Sequence, residues 1–119
     1  MAFPGTYNFN YYRGDTYSFV ITPKDASGNT FALDAFGSAL FTIANKRGTG
    51  ATQYGAASGI TASINTTDDT VTCTISATGG RNLASGTTYV YDVEITSGSI
   101  KYTILTGTIT PTDDITGAV

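Results

Sequence analysis

The chain of 119 residues contains no histidine, no tryptophan and a single cysteine, Cys73. Most zinc sites and most histidine-dependent catalytic triads therefore cannot be built from it. One cysteine also cannot form an internal disulfide. Only Glu94 among the nine acidic residues is a glutamate, and Lys and Arg together number six. Helical surfaces need many Ala, Glu, Lys and Gln residues, so this composition argues against a helical bundle. We expect no cofactor and no metal.

Charge is sparse, with a net value of −3 and no basic cluster longer than Lys46-Arg47. Nucleic-acid binding needs a basic stripe, and an anionic membrane surface disfavours a chain of the same sign. No run approaches the ~18 apolar residues of a membrane helix. The first residues lack the basic and apolar regions of a signal peptide. We expect no nucleic-acid or membrane partner, and folding in a cytosol.

The residues that are abundant favour strands. The chain has 23 Thr, 14 Gly and 9 Ser, and the β-branched side chain of Thr suits a half-exposed pleated surface. Alternating apolar positions, separated by turn residues, predict strands over residues 16–22, 30–33, 38–44, 59–64, 70–75, 88–96 and 100–110. Seven or eight short strands at this spacing predict one antiparallel β-sandwich of immunoglobulin-like or Greek-key type. A small barrel is the alternative.

Three hairpins follow from the turn residues between these strands: 16–22 with 30–33, 59–64 with 70–75, and 88–96 with 100–110. The apolar pattern of the last strand changes parity, which predicts a bulge near Gly107 or a strand that crosses between sheets. Cys73 is expected to be a small buried hydrophobe. Tyr89, Tyr91 and Tyr102 fall at core positions of their strands.

Residues 1–12 form an uncharged, aromatic N-terminal arm ahead of the predicted sandwich domain at 13–111, and residues 112–119 read as a tail. The candidate protein-contact residues of the arm are Phe3, Tyr7, Phe9, Tyr11 and Tyr12. Such a segment can pack back on its own sheet or pair with the exposed edge of a neighbouring molecule. The sequence leaves both alternatives open.

Three further motifs have a simple structural interpretation. Arg13-Gly14-Asp15 is the tripeptide that integrins bind, but a turn at Gly14 before a strand explains it as well. The pairs Asp68-Asp69 and Asp113-Asp114 lack the spacing of a calcium loop. Asp92 and Glu94 share one face of a strand, as paired carboxylates of a glycosidase do, but an outward solvated face is the expected role.

The last third of the chain, YVYDVEITSGSIKYTILTGTITPTDDIT, carries a series of short motifs in a fixed order. They are Tyr91-Asp92-Val93, Ser97-Gly98-Ser99, Tyr102-Thr103-Ile104-Leu105, Gly107-Thr108-Ile109-Thr110 and Asp114-Ile115-Thr116. Near the start, Arg13-Gly14-Asp15-Thr16 leads into an aromatic-aliphatic strand. Across residues 12–116 the chain resembles small bacteriophage virion β-sandwich proteins, and is similar to the N-terminal domain of phage baseplate upper proteins.

The resemblance implies a non-enzymatic virion structural protein that docks onto a larger assembly, as a tail, baseplate or fibre-attachment component. It implies partners that are other virion proteins and copies of this chain, and a location in the virion after assembly in the host cytoplasm. Capsid decoration is the alternative within the same class. A carbohydrate-binding or host-adhesion module, using Tyr54 or other loop aromatics, is the alternative from a different class.

Overall fold

The computed structural model describes residues 4–116, and within this range the chain is mostly β. Its strands are β1 (Gly5–Thr6), β2 (Phe9–Tyr12), β3 (Tyr17–Ile21), β4 (Ser38–Ala44), β5 (Gln53–Tyr54), β6 (Ile60–Asn65), β7 (Thr70–Ile75), β8 (Tyr89–Ser97) and β9 (Ile100–Thr112). A 3-10 turn spans Ala56–Ser58, and one helical turn, α1, spans Ala77–Gly80. The scarcity of helix agrees with the composition.

The strands form two sheets. The first sheet has the order β1-β9-β8-β4-β5, with β2 also paired to β9, and the second has the order β3-β7-β6. The predicted hairpins at 59–64 with 70–75 and at 88–96 with 100–110 are confirmed as the antiparallel pairs β6–β7 and β8–β9. The other named pairs, β3–β7, β4–β5 and β4–β8, are antiparallel as well, whereas β1 and β2 of the arm run parallel to β9.

The predicted hairpin between residues 16–22 and 30–33 is wrong. Strand β3 pairs with β7, and residues 30–33 contribute only an isolated bridge between Lys24 and Thr30. The chain between β3 and β4 passes from the second sheet to the first. Leu33 is fully buried within this connection, and the Asp69 carboxylate accepts a 3.0 Å hydrogen bond from its backbone N–H. That bond satisfies a buried amide without a strand partner, which alternation of residues could not reveal.

The irregularity in β9 lies three residues before the predicted position. The register between β8 and β9 shifts between Val93 and Glu94, which face Leu105 and Thr103, so Ile104 is the extra residue. Ile104 is nevertheless buried. A bulge at Ile104 accounts for the change of apolar parity, and Gly107 has a different role, described below.

The buried side chains form one hydrophobic cluster that draws on both sheets. Phe41, Tyr91 and Val93 enter it from the first sheet, while Val71 and Cys73 enter it from the second. Cys73 is fully buried, as its alternation with threonine predicts, and burial raises the pKa of its thiol to about 12. Tyr89 and Tyr91 are buried as expected. Tyr102 packs at the margin of the core against Phe31 and Phe36.

The two ends of strand β4 lead into different groups of loops. The connection at 22–37 precedes β4, and the turn at 66–69 adjoins that connection through the bond between Asp69 and Leu33. The loop at 45–52 follows β4 at the opposite end. A strand of seven residues spans about 23 Å, so these two groups of loops lie roughly that far apart.

Candidate protein-contact surfaces

The described part of the N-terminal arm pairs with the sheet of its own chain. Gly5 and Thr6 pair with Leu105 and Thr106, and β2 continues the pairing from Phe9, opposite Ile109, to Tyr12. Residues 5–12 are therefore an integral edge of the first sheet. In residues 5–12 the structure has the first of the two alternatives for the arm, packing on its own sheet. Phe3 lies outside the described residues.

Two aromatic residues of the arm, Tyr7 and Phe9, pack against the aromatic residues of β3 in the second sheet. Phe9 lies between Tyr7 and Tyr17, with ring centroids 5.1 Å and 4.8 Å away, and both pairs are stacked. The Tyr7 and Tyr17 hydroxyls are 2.7 Å apart. Desolvation, followed by the hydrogen bond to Tyr7, raises the pKa of Tyr17 to about 12. Phe9 also contacts Tyr91 edge-on at 5.7 Å. These rings contribute to packing within the chain.

Tyr11 and Tyr12 differ sharply in exposure. Tyr11 is 2% exposed, and its hydroxyl donates a 2.6 Å hydrogen bond to the Asp15 carbonyl. Its ring packs so closely on α1 that a Cβ at Gly80 would overlap it. Tyr12 is 58% exposed. Among the candidate contact residues that the structure describes, Tyr12 is therefore the side chain most available to a partner, followed by Tyr7 at 39%.

Between β1 and β2 the backbone of the arm lies directly against β9 at Gly107. The Tyr7 carbonyl occupies the space that a Cβ at Gly107 would need, and it accepts a 2.6 Å hydrogen bond from the Tyr91 hydroxyl. Asn8 adds a second bond, because its side-chain oxygen accepts from the Thr108 N–H at 2.9 Å. Gly107 is thus needed for close approach of the backbone.

Arg13-Gly14-Asp15 forms the turn between β2 and β3, and its arginine is bound within the chain. Arg13 donates to the backbone carbonyls of Leu83 and Arg81 at 2.5 and 3.0 Å. It also forms a 2.6 Å ion pair with Asp113. Gly14 has a φ of +88°, and a Cβ there would overlap the Arg81 side chain. The motif therefore has a structural role that accounts for each of its first two residues.

The acidic pairs also have partners within the chain. Asp69 binds the Leu33 amide, and the exposed Asp68 accepts a 3.2 Å hydrogen bond from the Asn65 side chain. Asp113 pairs with Arg13, while Asp114 forms a bidentate contact with Arg81 at 3.2 and 3.3 Å. Residues 112–114 of the predicted tail are therefore bound to the rest of the domain. Thr112 is the last residue of β9.

Asp92 and Glu94 lie on the outer face of the first sheet, because they alternate with the buried residues of β8. Asp92 stands between Thr42 of β4 and Thr106 of β9, and Glu94 between Leu40 and Thr103. The surroundings of Asp92 include a shallow depression of about 120 Å³. That volume suits a single side chain or a small ion, and is well below the ~300 Å³ typical of small-molecule sites.

The outer face of the second sheet is an uncharged surface built from three paired strands. It consists of Ser18, Val20, Thr61, Ser63, Asn65, Thr70, Thr72 and Thr74, and we call these eight residues the hydroxyl face. Cross-strand register places Thr72 between Val20 and Ser63, and Thr74 between Ser18 and Thr61. Val20 is 62% exposed. The three threonines of β7 alternate with apolar residues in the sequence, which places them on one face of the strand. Their neighbours from β3 and β6 are known only from the pairing of the strands.

The hydroxyl face is suited to being covered. Covering an ionised group costs far more than covering a hydroxyl that can exchange its hydrogen bonds with water for bonds to a partner. The cores of protein interfaces are likewise depleted of charged residues. Ser18 and Thr74 already bond to each other at 3.0 Å, which orders the surface before any contact is made.

No protein family model and no curated protein matches the sequence. Within residues 4–116, no helix has the length and apolar character needed to cross a membrane. The geometry of the chain itself is therefore the basis for a functional proposal.

Proposed function

We propose that the chain is a non-enzymatic structural protein of a bacteriophage virion, which docks onto a larger assembly through protein–protein contacts. The observation that carries the proposal is the hydroxyl face, since its eight uncharged residues on three paired strands form a regular surface that a neighbour can cover without desolvating an ion. The resemblance of residues 12–116 to small phage virion proteins supports the class. A tail, baseplate or fibre-attachment position is the form that the resemblance favours.

We further propose that the two sheets form a sandwich of immunoglobulin-like Greek-key type. The sheet orders support it, because β3-β7-β6 would correspond to strands B, E and D, and β9-β8-β4 to G, F and C. Tyr89 supports it independently. Its hydroxyl accepts a 2.8 Å hydrogen bond from the Ala84 N–H, as the tyrosine that opens strand F of these folds bonds to the backbone a few residues upstream.

Capsid decoration uses the same chemistry at a different position on the particle, so it remains the alternative within the class.

The adhesion alternative would use exposed aromatic side chains. Tyr54 is half-buried, and its ring lies 6.4 Å from that of Tyr89 in an edge-on contact. This packing favours a structural role for Tyr54 over a sugar platform.

The experiment is to place a charge in the hydroxyl face and measure incorporation into particles. Thr72→Lys lies at the centre of the face, so we expect a folded protein whose copy number per particle falls strongly. Thr87→Lys, in the exposed loop between α1 and β8, is the matched control and should incorporate normally. Normal incorporation of Thr72→Lys would show that the hydroxyl face is not the docking surface.

A further inference from the structure

The outer face of the first sheet carries a basic depression that no feature described above uses. It lies where the loop at 45–52 folds over the sheet, and its polar lining consists of Thr42, Lys46, Arg47, Gln53 and Asp92. Its volume is about 120 Å³. We use the name basic depression for these five residues and the space between them.

The guanidinium of Arg47 is held in place within the basic depression. It donates a 2.7 Å hydrogen bond to the Thr106 hydroxyl, which itself donates to the Tyr91 carbonyl at 3.1 Å. Ion pairs in residues 4–116 join Arg13 to Asp113 and Arg81 to Asp114, and they leave Lys46 and Arg47 without a carboxylate within 4.0 Å. Two cations therefore face solvent beside a positioned hydroxyl and the Gln53 amide.

The loops at the other end of β4 have the complementary charge and include an exposed turn. The connection at 22–37 and the turn at 65–70 contain one lysine, Lys24, and four aspartates. These segments therefore carry a net charge of −3. The turn Asn65–Asp69 lies among these loops, and most of its residues are exposed. Asp68 is exposed there, beside the exposed hydroxyls of Thr66 and Thr67.

The turn is also rigid before it meets a partner. The Asn65 side-chain oxygen accepts from the N–H groups of Thr67 and Asp68 at 2.9 and 3.1 Å. Asp69 takes a φ of +55° and binds the Leu33 amide. Because these bonds fix the turn in advance, docking it elsewhere would cost little conformational entropy.

We propose that the basic depression receives the Asn65–Asp69 turn of a second copy of this chain. The carboxylate of Asp68 would bind Lys46 and Arg47, and the threonine hydroxyls beside it would donate to Asp92, so each charged group of the depression meets a partner. A depression of about 120 Å³ has room for one such side chain. The contact joins the acidic end of one copy to the opposite end of the next.

A contact between two different surfaces of the same chain is heterologous, so it repeats head to tail and closes into a ring or continues as a filament. This inference rests on the proposed function only in assuming that copies of the chain assemble. It is separate from the hydroxyl face, which faces outward from the second sheet and stays available to another virion protein.

The test is a reciprocal charge exchange on the purified full chain, with self-association measured by sedimentation velocity over a range of protein and salt concentrations. Lys46→Glu with Arg47→Glu puts like charges in the contact, and so does Asp68→Lys. Each variant alone should associate at least about tenfold more weakly than the unchanged chain, because like-charge contacts are strongly disfavoured. The Lys24→Glu and Lys101→Glu double variant makes the same change in net charge at exposed lysines outside the depression, and should not weaken association.

Mixing the two variants is the decisive step, because each contact in the mixture can then pair opposite charges. Association should return in the mixture, and it should fall as salt is added. Failure of the mixture to associate, or unchanged association of the Lys46→Glu and Arg47→Glu variant, would overturn the proposal. Circular dichroism of each variant verifies its fold.

A chain that stays monomeric yet enters particles would refute this contact alone, while a chain that self-associates but never enters particles would refute the proposed function alone.

Discussion

The hydroxyl of Tyr91 donates a 2.6 Å hydrogen bond to the carbonyl of Tyr7, which lies 84 residues earlier in the chain. The bond joins the centre of the first sheet to the N-terminal arm, at the point where Gly107 allows the two backbones to approach. Burial raises the pKa of Tyr91, so the hydroxyl stays protonated and able to donate. Residues 5–12 of the arm are thereby a fixed part of the sheet edge.

Removing this hydroxyl should cost stability without changing the fold. Tyr91→Phe leaves the Tyr7 carbonyl without its donor in a partly buried position, and we expect the free energy of unfolding to fall by about 1–2 kcal/mol. Urea denaturation measures it. Tyr12→Phe removes a hydroxyl from a side chain that is 58% exposed, and should change stability by less than ~0.5 kcal/mol. Equal effects of the two substitutions would contradict the account of the arm.

A methyl group at Gly107 should force the arm away from β9. Gly107→Ala places its Cβ against the Tyr7 carbonyl, and overpacking of this kind costs about 1–3 kcal/mol. Gly37→Ala is the matched control, because a Cβ at Gly37 would have nothing within 4 Å. Hydrogen exchange should show the loss of protection in residues 5–12 for the Gly107 variant only. Unchanged exchange there would mean that the close approach is not needed.

Arg13 should matter for stability and not for integrin binding. Arg13→Ala removes its bonds to the Leu83 and Arg81 carbonyls and to Asp113, and we expect a loss of about 1–3 kcal/mol, because hydrogen bonds from charged groups are the stronger class. Thermal unfolding at fixed pH measures it. The unchanged chain should show no integrin-dependent cell attachment. Attachment that Arg13→Ala abolishes without lowering stability would reverse this interpretation.

Stability should fall in strongly alkaline solution. The thiol of Cys73 and the hydroxyl of Tyr17 both have pKa values of about 12 in the folded chain, against ordinary values of 9.0 and 10.0. Burial also raises the pKa of Tyr11. The folded state therefore holds protons that the unfolded state releases, so this stability is complete below about pH 9 and is lost as pH rises towards about 12. Urea denaturation from about pH 8 to 11 should show the decline, and Cys73→Val should delay its onset. A flat profile would show that these groups are not buried as described.

The sequence predicted the local pairs well because their signals lie within a few residues of one another. Strands β6 and β7 bracket the Asn65–Asp69 turn, and β8 and β9 bracket a turn at Gly98 with a φ of +60°. The error at residues 30–33 has a physical reason. Leu33 is apolar because it is buried in a crossing connection, and the bond from its amide to Asp69 spans 36 residues.

The contact surfaces were predicted only in part. Tyr7, Phe9 and Tyr11 alternate with Asn8 and Asn10, which is the period of a strand. The parallel partner β9 lies about 100 residues away, and no short-range pattern encodes that choice. The same holds for the hydroxyl face. Thr70, Thr72 and Thr74 alternate with apolar residues and so lie on one face of β7. Only the pairing of β7 with β3 and β6 makes them part of one surface. Gly107 signalled an irregularity without showing that a backbone approaches it.

The central claim is that the chain is a virion component that docks through its hydroxyl face. The most direct measurement is a cryo-electron microscopy reconstruction of phage particles assembled in cells that express the chain. The account predicts copies at a defined tail, baseplate or fibre-attachment position, with Thr72 and its neighbours covered by another virion protein. Particles that lack the chain, or copies whose hydroxyl face is turned to solvent, would contradict it.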